Sequence, residues 1–259
     1  MENWTQVEKA IEESDYPAAI GALQLFLQKN PEHSDAWARL AACLNDASQA
    51  DAAIEASTKA ISIDTTNVLA WVQLGRSLKA NRSFEKAIEK FEQALNLWGE
   101  HDWILTQISH CYNQLDKGYQ GLEYASRALS KNPSFAMAKE QQLVSLNILS
   151  RFQEARVIAD KLIETGTDSE MVWCQKGWAE IKLENYEAAV ISFHHAIELN
   201  PDDAWNWGQY AISCNKIGKF YEAEKAAERV LELDPSSSVA QRELRQALSS
   251  KEPRPILFK

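Results

Sequence analysis

The sequence predicts an all-α solenoid of stacked, antiparallel helix pairs, and three observations predict it. Five glutamines, Gln73, Gln107, Gln141, Gln175 and Gln209, stand 34 residues apart without a gap. Trp37, Trp71, Trp173 and Trp207 keep the same phase, as do Ala53, Ala87, Ala155, Ala189 and Ala223, and Pro31, Pro133, Pro201 and Pro235. Self-similarity at such a period marks a stacked-repeat architecture, and this period fits a helix-turn-helix unit. Composition agrees, with 9 glycines and 7 prolines in 259 residues and 45% hydrophobic content. Such a chain can bury a substantial core and is nearly all helix-forming.

Setting the first repeat position at Ser34 gives units at 34–67, 68–101, 102–135, 136–169, 170–203 and 204–237. A leading unit covers 1–33, and a final helix covers 238–248, so one domain is expected over 1–248, with an extended tail at 249–259. In the clearest unit the first helix presents Trp71, Leu74 and Leu78 on one apolar face. Gly75, or Ala41 in the unit before, lets the paired helix approach closely. The second helix offers Ala87, Phe91 and Ala94, a large ring between small neighbours. Asn132-Pro133, Asn200-Pro201 and Asp234-Pro235 end second helices, because the residue before proline avoids the α region.

Departures from this pattern predict looser packing in the middle. Unit 136–169 has Lys139 for the tryptophan, Leu143 at the small position and Thr167 for the closing proline. Unit 102–135 has Gly121 in place of the alanine, and in 170–203 Lys176 and Glu180 replace apolar residues. Past Ser238, Val239, Ala240, Leu244, Ala247 and Leu248 read as an amphipathic capping helix. Pro253 and Pro255 cannot continue it, and Ile256, Leu257 and Phe258 follow as unexplained hydrophobes.

Residues 68–101, with Trp71-x2-Leu74-Gly75-x2-Leu78 and then Ala87-x3-Phe91-x2-Ala94, resemble the tetratricopeptide repeat family. The resemblance spans nearly the whole chain. It implies a right-handed superhelix whose first helices line a concave groove, with unit positions 2, 5, 6, 9, 12 and 13 facing inward. Position 6 then holds the five glutamines, preceded by Arg39 and Thr5. Position 12 holds Asn45, Lys79, Asn113, Asn147, Ile181 and Asn215, and position 9 includes Arg76 and Trp178. Position 2 holds Leu69, Trp103, Met137, Met171 and Trp205.

This face combines a ladder of primary amides with an apolar rail. A Gln or Asn amide donates and accepts at once, so it can pair with both groups of a peptide unit. The amides are therefore expected to be exposed, dispensable for folding and available to an extended peptide from a partner protein. The rail would bury that peptide's side chains, methionine adapting to mixed shapes. No three successive units carry the Lys, Asn and Arg set of the family's carboxylate clamp.

Composition narrows the remaining classes. A formal charge of −10 argues against a nucleic-acid surface. No apolar stretch approaches membrane-spanning length. The start, Met1-Glu-Asn-Trp4, carries no visible signal peptide. Cys43, Cys111, Cys174 and Cys214 lack CxxC spacing and read as buried thiols in a reducing, cytoplasmic compartment. His194 and His195 are adjacent on a helix, a poor chelate, so no metal and no cofactor are expected. With no catalytic constellation in view, the expectation is a non-enzymatic scaffold. The competing class is a self-associating structural protein that docks through its terminal helices or its tail.

Overall fold

The computed structural model describes residues 2–250, with side chains from Val7 onward. The expectations for Thr5 and for the 251–259 tail lie outside the described residues. Fifteen helices occupy them: α1 (Glu2–Glu12), α2 (Tyr16–Lys29), α3 (Ser34–Asp46), α4 (Ala50–Ile63), α5 (Val68–Ala80), α6 (Phe84–Trp98), α7 (Asp102–Gln114), α8 (Gly118–Lys131), α9 (Ala136–Ile148), α10 (Phe152–Glu164), α11 (Glu170–Lys182), α12 (Tyr186–Leu199), α13 (Ala204–Lys216), α14 (Phe220–Leu233) and α15 (Ser238–Ser250). No strand occurs among the described residues. First helices begin at Ser34, Val68, Asp102, Ala136, Glu170, Ala204 and Ser238, which reproduces the register read from the sequence. The chain divides into two compact units, Met1–Gln141 and Gln142–Lys259. Within each unit the architecture is an all-α solenoid packing of consecutive helix pairs.

One backbone device closes each first helix from α1 to α13. Ser14, Ser48, Arg82, Asp116, Ser150 and Glu184 have φ between 56° and 59°, and Gly218 has φ 77°. These seven positions also recur every 34 residues. The residue after each donates its N–H five residues back, as in Gln49 to the Leu44 carbonyl at 2.8 Å and Lys219 to the Cys214 carbonyl at 2.9 Å. A left-handed residue with a six-to-one bond is the Schellman cap, which satisfies the orphan carbonyls and reverses the chain.

The turn between repeats is tied to the phased tryptophans. The indole Nε1 of Trp37 donates to the Pro31 carbonyl at 2.8 Å, Trp71 to Thr65 at 2.9 Å, and Trp207 to Pro201 at 2.9 Å. A large side chain is thereby half-buried with its one donor satisfied. Trp173 instead stacks on His195 at 4.4 Å between centroids.

Volumes are matched where the two helices of a pair cross. A Cβ on Gly75 would lie 2.7 Å from the Phe91 ring, and one on Gly177 would lie 2.7 Å from Phe193. Both rings are fully buried. Sixteen residues separate each couple, and at the same interval four other units hold Ala41 with Ser57, Ser109 with Ala125, Leu143 with Ala159, and Ala211 with Ala227, while the leading unit holds Val7 with Leu23. In the six units from Ser34 onward glycine stands opposite the ring, and larger first-helix residues stand opposite Ser or Ala. Close packing favours this exchange of volume.

Two of the expected loose places are tightly made. In unit 102–135, Ile104, Leu105, Ile108 and Cys111 are buried, and the Ser109 hydroxyl donates 2.7 Å to the Gly121 carbonyl. The polar intrusions in 170–203 are internally paired. Lys176 meets Asp160 at 2.7 Å, and Glu180, 2% exposed, accepts from the Ser192 hydroxyl at 2.6 Å. Burial holds the Glu180 carboxyl above its ordinary range, with Ser192 and Lys176 offsetting part of that rise.

Candidate functional site

The first helices carry the candidate face, and its amides are occupied by one another. Asn45 Nδ2 donates to the Gln73 carbonyl and to Gln73 Oε1, both at 3.0 Å. Asn113 does the same to Gln141 at 3.0 and 3.2 Å, and Asn147 to Gln175 at 2.9 and 2.8 Å. Each bond joins position 12 of one repeat to position 6 of the next. Gln73, Gln107, Asn113, Asn147 and Asn215 are buried, and Asn45, Gln141 and Gln175 are half-buried. The expectation of an exposed ladder with no part in folding is therefore corrected. Contact between successive first helices desolvates their facing amides, and a desolvated amide must find a partner.

The ladder continues one step beyond the glutamines. Asn215 Nδ2 donates to the Glu243 carbonyl at 3.0 Å and to its Oε2 at 2.9 Å, with Glu243 only 4% exposed. Glu243 lies 34 residues after Gln209, so the period could have found it, but its carboxylate hid it from a search for amides. Gln209 differs in the opposite sense. Its predecessor at position 12 is Ile181, which has no amide to give, and Gln209 stays half-buried.

A serine completes some of these joints and is missing from others. Ser77 Oγ donates to Asn45 Oδ1 at 2.8 Å. Ser145 stands at the same offset from Asn113, but Ala179 and Ala247 stand there relative to Asn147 and Asn215. Asn147 Oδ1 and Asn215 Oδ1 are buried without a hydrogen-bond partner.

A cation replaces the position-12 amide at one joint. Lys79 replaces the asparagine and donates from Nζ to Gln107 Oε1. Burial pulls its ammonium below the ordinary lysine value, with Arg76 adding to the effect. Arg76 is itself paired with Asp46 at 2.7 Å and donates to Gln73 Oε1 at 3.1 Å. His110, at position 9 of the next unit, is pushed down to about 4 by burial and by Lys79, against a bond to Gln141 that raises it. Sequence reading passed over His110, which had no partner at a recognisable spacing.

The apolar rail remains open. Leu69, Met137 and Trp205 are 37%, 42% and 44% exposed. Trp103 and Met171 are half-buried, Trp103 lying edge-on to Phe91 at 6.3 Å. In the second unit Trp178 and Trp205 meet at 5.8 Å, and Lys182 Nζ sits 4.2 Å over the Trp178 ring. Arg39 is half-buried. Among the described residues no His, Cys, Asp and Glu cluster could hold a metal ion. Burial raises the Cys111 and Cys174 thiols to about 12 and Cys214 to about 11, which keeps them protonated and unreactive. No described helix is long and apolar enough to cross a membrane.

Residues 6–67 match one tetratricopeptide repeat family profile, and residues 68–97 and 172–203 match a second. The peroxisomal targeting signal receptor of Yarrowia lipolytica is 27% identical over 189 residues, covering 73% of this chain. This chain spans 27% of that receptor's length. Among solved structures, the Cut9–Hcn1 hetero-tetramer of the APC/C aligns with a TM-score of 0.76 at 18% identity, over 90% of this chain and 49% of that one. A tetratricopeptide repeat protein of Parabacteroides merdae aligns at 0.72 and 14% identity, over 95% and 98%. At such identities the likeness is one of fold.

Proposed function

The chain belongs to the tetratricopeptide repeat family of protein-interaction scaffolds, and from that premise we propose that it binds an extended segment of a partner protein along the first-helix face. The observation that carries this reading is the open rail. Position 2 leaves Leu69 and Met137 in the first unit and Trp205 in the second more than a third exposed, while Gln73 and Gln141 beside the first two are drawn into inter-repeat bonds. Exposed apolar residues recurring on one face mark a contact surface more than a solvated helix does. The partner's side chains are therefore gripped by the rail, and the amide joints hold the rail's spacing. Gln209 is the ladder glutamine best placed to read a peptide backbone, beside the Trp178–Trp205 pair. The four free thiols fit the reducing compartment expected from the sequence.

The test is calorimetric titration of a peptide selected from a displayed library against the wild type. Truncating a central aromatic anchor costs about 2 kcal/mol or more, so Trp103→Ala and Trp205→Ala should each weaken binding about thirtyfold. Undiminished binding by the double variant would remove the reading.

A further inference from the structure

We propose that the first-helix face of the unit Met1–Gln141 selects an acidic partner segment, with a side-chain carboxylate of that segment seated on Lys79. The inference rests on the peptide-binding reading and names the chemistry of the ligand.

Lys79 is the single joint at which a cation replaces the position-12 amide. A neutral asparagine makes two bonds at the equivalent joints, as Asn45 and Asn113 do. Lys79 makes one, to Gln107 Oε1, and brings a charge into a partly desolvated place. Among the described residues no carboxylate forms an ion pair with it, whereas the neighbouring Arg76 is neutralised by Asp46. A desolvated ammonium with only a neutral acceptor is left short of compensation, and a charge-assisted bond from a carboxylate supplies it.

The local charge points the same way. On the inward positions Arg76 is balanced by Asp46, and between Asp46 and Glu140 Lys79 is the one cation left without a carboxylate among the described residues. Burial raises the Glu140 carboxyl above its ordinary range. An unbalanced ammonium between apolar anchors favours a carboxylate at that point of the segment over a second cation. The rail residues Leu69, Trp103 and Met137 lie on three successive first helices, so the segment runs past Lys79 and does not end on it. A side-chain carboxylate is then the group that reaches the ammonium, with apolar side chains before and after it.

The probes are amidated, fluorescein-labelled peptides of about a dozen residues, four repeats of Leu-X-Pro in which X is Glu, Gln or Lys. Proline keeps them extended. Binding is read by fluorescence polarisation at low salt, where exposed charges are least screened. The Glu peptide should bind about tenfold tighter than the Gln peptide, and the Lys peptide weakest. Lys79→Asn restores the amide found at four other joints, so it should fold at least as stably as the wild type. It should abolish the preference for Glu over Gln. Equal binding of the Glu and Gln peptides to wild type overturns the inference and leaves the groove reading standing. A Glu preference that survives in Lys79→Asn also overturns it. Failure of all three peptides to bind removes the groove reading and the inference together. A free C-terminal acid on the Gln peptide that reproduces the Glu affinity would show terminal-carboxylate recognition and overturn the side-chain assignment.

Discussion

Asn45 crosses to the following repeat and binds Gln73 twice, at its backbone carbonyl and at its side-chain oxygen, both at 3.0 Å. The side chain of one helix thus substitutes for a backbone-to-backbone contact that helices cannot make with each other. Because Asn113, Asn147 and Asn215 repeat this contact 28 residues ahead, the ladder is part of what joins repeats.

Removing a glutamine should therefore cost stability. Gln73→Ala removes the side-chain acceptor that Asn45 Nδ2 and Arg76 share, and a donor left unsatisfied costs about 1–3 kcal/mol. The double change Gln107→Ala and Gln141→Ala should cost at least as much, against the near-zero effect expected of surface glutamines. Urea unfolding monitored by circular dichroism reads both. Unchanged midpoints would return the glutamines to the surface.

The two incomplete joints can be completed. Ser77 supplies Asn45 Oδ1 with a donor, whereas Asn147 Oδ1 and Asn215 Oδ1 have none. Ala179→Ser and Ala247→Ser place a hydroxyl at the matching offset and should each stabilise by about 0.5–1.5 kcal/mol. Ser77→Ala should lose a similar amount. A fall in melting temperature for both alanine-to-serine variants would mean that Ala179 and Ala247 are held by packing and not by a missing donor.

The period, the starts of the first helices and the close approach at Gly75 were legible in the sequence because each rests on volume or hydrophobic phase. The burial of the ladder was not. Gln73 and Gln107 look like surface helix formers, and only contact with the neighbouring first helix desolvates them. Glu243 was hidden for the related reason that a carboxylate can take an amide's acceptor role. The Schellman turns escaped notice because six of the seven left-handed positions hold Ser, Arg, Asp or Glu, and only Gly218 advertises its conformation.

Those turns offer a stabilising substitution. A non-glycine residue in the left-handed region costs about 1–2 kcal/mol, and glycine returns about 0.4–1 kcal/mol of that through a freer unfolded chain. Arg82→Gly and Glu184→Gly, at φ 57° and 59°, should therefore gain about 0.5–1 kcal/mol each. Gly218→Ala should lose a comparable amount. Thermal melts of the three variants, which differ in sign, are the measurement, and a loss in both glycine variants would contradict the strain argument.

Acid should act oppositely on the two units. His110 lies in the first, where burial and Lys79 lower it from 6.5 to about 4. Between those values the unfolded chain holds a proton that the folded unit lacks, so stability falls as pH drops through that window. Glu180 lies in the second, where burial raises it above 4.5. Just above that value the folded unit holds a proton that the unfolded chain has released, so this contribution grows as pH falls. Hydrogen exchange at neutral pH and at about pH 5, corrected for intrinsic rates, should show protection declining around α7 relative to α11. His110→Gln should flatten the first trend and Glu180→Gln the second. Parallel trends in both units, unmoved by either variant, would mean that neither group governs the acid response.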